Sequence, residues 1–458
     1  MKRIYTLLLP CLALCHLPGQ MSRNIELIYN WTDTTNIIEI NAPPAITHFR
    51  YNEVWGYAQN GHEYAVIGST MGLHFFDVTD SAHLVYVDFV PGRAQGNIIH
   101  RDFKNYRHYL YAVCDEGNSS LQVVDLQYLP DSVHVVYDDD SLVVRAHNLF
   151  IDTAMQKLYV FGPRTDYFSP GVPVGYPALV LSIADPVNPQ FLSTFNHNII
   201  TYVHDGYVYN DTAIFNCGYD GLYYGYFGNT SSPVEIDALP FYEDQGYNHS
   251  GWLTPDKTHY IMSDETHGMR MKMLDMQQGP NQLSTCNLIG SYVSQYSIAH
   301  NQLIRGNYLY VSYYYDGLRV FDITDPCSIR QVAWYDTYPG DAINGCYAGA
   351  WGTYPLLPSG KVLVSDIETG LYVFRPQTEF FGIEDAYTFE FDIYPNPAEE
   401  LVQLNHAYTS IRIVDMNGQL VKTYMNVQTF PVSELADGLY MLGVEENGRW
   451  AYKKLIKQ

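Results

Sequence analysis

Short runs in which apolar and polar residues alternate, closed by Asp-Gly, Asp-Pro or Gly, succeed one another along most of the chain. Tyr308-Leu309-Tyr310-Val311-Ser312 is typical. A period of two with aromatic and β-branched enrichment predicts strands, and the turn residues after each run predict hairpins. Helix-period segments are nearly absent, so the pattern predicts an all-β chain.

One phrase recurs: an apolar strand, a turn, then a strand ending in Asp. The clearest copy is 317–326 (GLRVFDITDP). Others are 72–80 (GLHFFDVTD), 121–126 (LQVVDL), 178–186 (ALVLSIADP), 271–276 (MKMLDM) and 370–376 (GLYVFRP), with a divergent copy at 221–226. A short strand precedes each, starting at Trp55, His100, His147, His204, His249, His300 and Trp351, at intervals of 45, 47, 57, 45, 51 and 51 residues. A four-stranded propeller blade takes about 40–50 residues. Seven copies therefore predict a seven-bladed β-propeller. The last copy stops after its third strand, which leaves an edge to be covered. Residues 25–33 (IELIYNWTD) read like the outer strand 331–337 (QVAWYDT) and are expected to pair with the final blade and close the ring.

Composition limits the partners. The 458 residues carry 49 acidic and 25 basic side chains, a formal net charge of -24, with 47% hydrophobic residues. Such a chain is globular, and it lacks the clustered Lys and Arg that nucleic acid or an anionic membrane requires. Met1, Lys2 and Arg3 precede an apolar run to Leu17 that is too short to span a bilayer and reads as a secretory signal peptide, residues 1–20. Cys15 follows Leu14, unlike a lipoprotein signal, and no later segment is apolar for the ~18 residues that a transmembrane helix needs. Beyond the leader remain Cys114, Cys217, Cys286, Cys327 and Cys346, an odd number without a C-x-x-C pair. One disulfide is open, and no zinc ribbon or redox motif is present.

The ordered series Arg145-Ala146-His147-Asn148, Tyr202-Val203-His204-Asp205, His249-Ser250-Gly251-Trp252, Ser263-Asp264-Glu265, Ala299-His300-Asn301 and Trp351 with Ser365-Asp366 resembles the choice-of-anchor B family, whose blades carry LVIVD-type repeats. The resemblance spans roughly residues 45–376. It implies a propeller held at or released from a cell surface, with no defined activity. Residues 390–458 differ in character: Tyr394-Pro395-Asn396-Pro397, Asp415-Met416-Asn417-Gly418, Asp437-Gly438-Leu439-Tyr440 and Lys453-Lys454 are similar to the type A C-terminal sorting domain of type IX secretion. Their alternation and Asn-Gly and Asp-Gly turns predict a small β-sandwich. The expected plan is a signal peptide at 1–20, a propeller at 21–378, a linker at 379–389 and the sorting domain at 390–458. The resemblance implies the type IX machinery as partner and an extracellular destination.

Candidate chemistry lies at the histidines. Repeat-equivalent positions surround a propeller's axis, so His100, His147, His204, His249 and His300 should face one channel. Converging imidazoles would hold a transition metal, zinc, iron or copper. Asn148, Asp205 and Asn301 follow three of them and would orient the rings. Together with Trp252 and Trp351 they are the candidate ligand-contacting residues. Asp264 and Glu265 are the candidate catalytic carboxylates, as a ligand or a general base. The bland alternative is that the histidines hydrogen-bond between blades. Two functions stay open: a surface ligand-binding or scaffold protein, and an extracellular metalloenzyme. A sugar-stacking role for the 42 tyrosines is weaker than their use in half-buried strands. Asp77, Asp322 and Asp325 read as turn formers, and Asp138-Asp139-Asp140 is a weak calcium candidate. No G-x-S-x-G, P-loop, H-E-x-x-H or EF-hand motif occurs.

Overall fold

The computed structural model describes residues 22–42, 47–229, 233–277, 285–289, 296, 298–338, 340, 347–377, 391–414, 420–446 and 449–458. Among them every regular element is a strand. Among the described residues no helix is long and apolar enough to cross a membrane. The chain divides into two compact units, Met1–Pro376 and Gln377–Gln458.

The first unit contains seven antiparallel sheets in sequence order, six of four strands and one of five, the blades of a β-propeller. Their inner strands are Tyr51–Gln59, Arg101–Tyr106, Asn148–Asp152, Asp205–Tyr209, Asn248–Leu253, Gln302–Arg305 and Ala350–Tyr354. Blade 7 has three strands of its own, and Ile25–Trp31 supplies the fourth, from Ile25 opposite Pro376 to Trp31 opposite Leu371. The chain before it does something the pattern did not reveal: Ser22–Arg23 pairs with the outer strand of blade 6, Ser22 opposite Tyr335. The N-terminal segment thus ties the last two blades together.

Each blade is apolar on both faces, and the cores lie between neighbouring sheets. Val66 and Phe75 of blade 1 meet Leu110 and Val124 of blade 2, and Phe161 and Val180 of blade 3 meet Phe215 and Tyr223 of blade 4. Tyr64, Tyr111, Tyr159, Tyr223 and Tyr260 are fully buried, so these tyrosines serve packing. The repeated aspartates form turns: Asp77, Asp322 and Asp325 accept the backbone N–H two residues on, at 2.8, 2.9 and 2.9 Å. Asp138 and Asp140 are engaged by Ser120 and Arg93. Cys114 and Cys217 are buried thiols and Cys327 is an exposed one; the side chains of Cys286 and Cys346 fall outside the described residues.

In every blade the pairing of the third and fourth strands slips at the same step, after Phe75, Val123, Val180, Tyr224, Met273, Val320 and Val373. This shared bulge sets a common register. Carried across to the inner strands, it aligns Trp55, Lys104, Phe150, Tyr207, Trp252, Leu303 and Tyr354. Trp55 therefore matches Trp252, three residues beyond His249, and does not start the histidine series as the spacing suggested. The irregularity between Tyr51 and Val54 hid this offset. His100 is also displaced: its register equivalent to His147 is Arg101, opposite Cys114.

The second unit is a five-stranded antiparallel sheet made of Ile393–Tyr394, Leu401–Val414, Leu420–Pro431, Gly438–Glu446 and Arg449–Lys457. It encloses its own core, with Val402, Ile411, Ile413, Leu442, Val444 and Leu455 fully buried. This is the small all-β module expected from the alternation, its described strands joined in one sheet.

Candidate metal centre in the propeller channel

The register stacks three layers along the axis. The Trp55 to Tyr354 layer is an aromatic collar: Trp55 lies 4.8 Å from Tyr354, Phe150 4.9 Å from Tyr207, and Tyr207 5.0 Å from Trp252. Two residues earlier comes a polar layer, Glu53, Asp102, Asn148, Asp205, Ser250, Asn301 and Gly352. One residue earlier again comes the histidine layer. Strand rise is about 3.3 Å per residue, so Trp252 stands roughly 10 Å along the strand from His249. Trp252 is thus part of the collar and apart from the histidines.

His100, His147, His204, His249, His300 and Trp351 form a closed ring of aromatic neighbours. Successive centroids are 5.1, 4.1, 4.2, 4.3 and 4.4 Å apart, and Trp351 returns to His100 at 5.5 Å. His100 takes its place from one residue outside the register because Arg101 turns beneath it, donating from Nε to the Ser69 carbonyl at 2.8 Å. Blade 1 contributes the buried Asn52, which donates to the Ile99 carbonyl.

Hydrogen bonds fix the imidazoles. Nδ1–H of His204 donates to the His249 carbonyl at 3.0 Å, and that of His300 to the Trp351 carbonyl at 2.6 Å. A carbonyl only accepts, so these nitrogens carry the proton and each neutral ring keeps its lone pair on Nε2. His147 uses Nδ1 on Asp115 at 2.9 Å and His100 on Glu116 at 2.5 Å. In blade 5 the pattern breaks. The His300 carbonyl is occupied by the hydroxyls of Ser250 and Ser263, at 2.6 and 3.1 Å. Nδ1 of His249, beside the His300 backbone, is left buried without a hydrogen bond.

Burial, reinforced by neighbouring imidazoles, holds His204 and His249 well below the usual histidine range and brings His300 to about 3. They are neutral, the state a metal binds. His100 moves the other way: burial opposes its charge, but the hydrogen bond and charge of Glu116 outweigh it. Glu265 reaches in from the end of the blade 5 strand His259–Asp264. Its oxygens lie 3.8 Å from Nε2 of His249 and 4.0 Å from Nε2 of His300. Burial raises it to about 7, against the hydrogen bond from Tyr314.

Asp264 is elsewhere. It ion-pairs with Lys272, both side chains fully buried, and accepts from Tyr242 at 2.6 Å. Strand alternation sends Asp264 into the blade and its neighbour Glu265 into the channel, so the structure gives Asp264 a structural partner and no place at the site. The other expected contacts form the polar layer. Lys104 donates to Asp102 at 2.8 Å and Asn148 at 3.3 Å, and Asn301 donates to Glu53 at 2.7 Å. Asp205 caps Gly206 and is raised by burial to about 7. None of these three orients a ring; the backbone carbonyls, Asp115 and Glu116 do. Asp115 and Glu116 were missed because they sit in the loop after a second strand, where only blade 5, with Glu265, has a carboxylate in the same place.

Ligand-capable atoms of His204, His249 and Glu265 lie within 4.8 Å of one another, as do those of His100, Asp115 and His147. The five-histidine set is thereby divided between two groups, with His300 beside Glu265. The cavity lined by the histidines and the polar layer is about 20 Å³. A buried water needs about 10–15 Å³, so this space has room for ions or water.

Residues 392–458 match the model of the secretion system C-terminal sorting domain. No curated protein matches the chain. Among solved structures it is similar to a protein from Lactobacillus plantarum determined by a structural genomics consortium, with 14% identity and a TM-score of 0.51, covering 84% of this chain and 99% of that one. It is also similar to a candidate 6-phosphogluconolactonase from Bacteroides uniformis, at 12% identity and a TM-score of 0.46, over 84% and 99% of the two chains. The likeness concerns fold alone. The type IX sorting domain marks the protein for the secretion machinery and for export to the cell surface or release.

Proposed function

We propose that this is an exported propeller of the choice-of-anchor B type whose channel mouth binds a first-row transition metal and presents it to the extracellular medium. On this reading residues 1–20 are a signal peptide, 21–378 the functional propeller, 379–389 a linker and 390–458 the sorting domain. His204, His249, His300 and Glu265 hold zinc, iron or copper, with His147 and His100 completing the ring. The observation that carries the reading is the fixed tautomer. Where Nδ1–H is spent on the next blade's carbonyl, at His204 and His300, Nε2 is left as a lone pair for the channel. Blade-to-blade bonding alone would account for the Nδ1 contacts but gives no role to Nε2 of His249 and of His300, which lie 3.8 and 4.0 Å from the Glu265 carboxylate. A cation between them would use all three groups.

Catalysis by such a centre is the second reading, supported by Glu265. A carboxylate held near 7 beside two imidazoles has the pKa of a general base. The binding role needs no such step and is the one adopted.

The test is elemental analysis of the untagged protein after loading with Zn²⁺ and gel filtration, beside His204→Ala/His249→Ala. Bound metal in the parent that falls by an equivalent in the variant supports the reading. A folded parent that retains none rejects it.

A further inference from the structure

The grouping of ligand atoms is finer than a single centre. His204, His249 and Glu265 form one set on blades 4 and 5, and His100, Asp115 and His147 form another on blades 2 and 3. The sets adjoin where His147 and His204 stand 4.1 Å apart, centroid to centroid. We propose that the ring is a two-cation centre, with a second first-row divalent ion held by His100, His147 and Asp115. This deepens the metal reading above and rests on it.

The two positions differ in ways that suit different ions in one site. The blade 4–5 position is deep: the side chains of His249 and Glu265 are 3% and 19% exposed. The blade 2–3 position faces the mouth, with His100, His147 and Asp115 at 31%, 14% and 30%. The deep position is built from rings oriented by carbonyls and held neutral. The mouth position includes a carboxylate of its own, Asp115, and a ring, His100, oriented by a second carboxylate, Glu116, which strengthens that imidazole as a donor. Nδ1 of His147 and Oδ2 of Asp115 stand 2.9 Å apart, the spacing of two neighbouring ligands of one cation, which would take the place of the proton they share. Glu116 anchors His100 and accepts the backbone N–H groups of Ile99 and His100 at 3.2 and 3.1 Å, which sets the loop around the ring.

Paired cations typically stand about 3.5–4 Å apart in two-metal sites and share a bridging oxygen ligand. The mouth-side ion would be the one that exchanges water.

The experiment counts ions in the untagged full-length chain. The protein is stripped with chelator, loaded with Zn²⁺, gel-filtered and analysed for metal per chain, with a thermal melt of each sample to establish folding. Two equivalents are expected in the parent, one in His100→Gln/Asp115→Asn and one in His249→Ala/Glu265→Gln. A parent with one equivalent, kept or lost in the first variant, overturns the two-cation proposal while leaving a metal site. A folded parent with none overturns both this proposal and the reading beneath it. Because a variant can fail to fold, the metal-free parent is also titrated with Co²⁺. An absorbance endpoint at two equivalents supports the pair, and an endpoint at one rejects it.

Discussion

The phenolic hydroxyl of Tyr314 donates a 2.5 Å hydrogen bond to Oε1 of Glu265. Tyr314 is fully buried, and burial together with the Glu265 charge pushes its hydroxyl well up, so it remains a donor at all physiological pH. It stacks edge-on against His300 at 4.9 Å, so one side chain fixes both the carboxylate and an imidazole beside it.

Tyr314→Phe keeps the ring and deletes only the donor. Groups that orient a metal's ligands typically affect affinity by about 10–100-fold. The expected result is a Zn²⁺ affinity lowered by about tenfold, measured by chelator competition, with little change in melting temperature. Unchanged affinity would mean that Glu265 is positioned without Tyr314 or takes no part in binding.

Asp264 and Glu265 are adjacent yet should behave oppositely. Asp264→Asn leaves the buried Lys272 ammonium without its counter-charge. Breaking a buried pair on one side costs about 3–5 kcal/mol. Denaturant unfolding should show that loss, while metal per folded chain stays at the parental level. Glu265→Gln should do the reverse, losing metal with little loss of stability.

This pair shows where the sequence was legible and where it was not. Blade number, strand type, the C-terminal module and the placing of His147, His204, His249 and His300 in one layer follow from a repeat that each blade obeys. Trp55 was misassigned because the irregularity after Tyr51 inserts residues without changing the spacing visibly. His100 entered the ring one position early because Arg101 turns away, a choice made by hydrogen bonds to Ser69 and Ala94 in the neighbouring blade. Asp264 could not be separated from Glu265 until the strand's facing was known. Asp115 occupies in blade 2 the place that Glu265 occupies in blade 5, directly after the second strand, but two blades of seven are too few to read as a repeat and Glu116 has no counterpart.

The closing strand should carry more stability than its length suggests. Trp31 packs edge-on against Phe76 at 4.7 Å and Tyr51 at 5.7 Å, both in blade 1, while its backbone pairs with blade 7. Trp31→Ala should cost about 2–3 kcal/mol by analogy with large-to-small core changes. Removing residues 1–33 exposes the blade 7 edge and the seam to blade 1 together, and should abolish the cooperative melt of the propeller. A truncated chain melting like the parent would show that the ring is held by other seams.

Glu53 should set the alkaline limit of stability. Its carboxylate fits into the space left by Gly352, where an added Cβ would come within 2.2 Å of Oε1. Asn301 donates to its other oxygen at 2.7 Å. Burial, with the nearby Asp102 charge, raises Glu53 from about 4.5 to about 8. The folded state therefore binds a proton that the unfolded chain has released across that interval, and raising the pH favours unfolding. The stabilising contribution is fully present below about 4.5 and is lost as pH rises through about 8. Asp205, raised to about 7, acts in the same direction. Glu53→Gln keeps the shape and removes the titration, so its urea midpoint between pH 6 and pH 9 should fall less than that of the parent. Equal slopes would mean that Glu53 stays ionised in the fold, its charge answered by Lys104 of the adjoining layer.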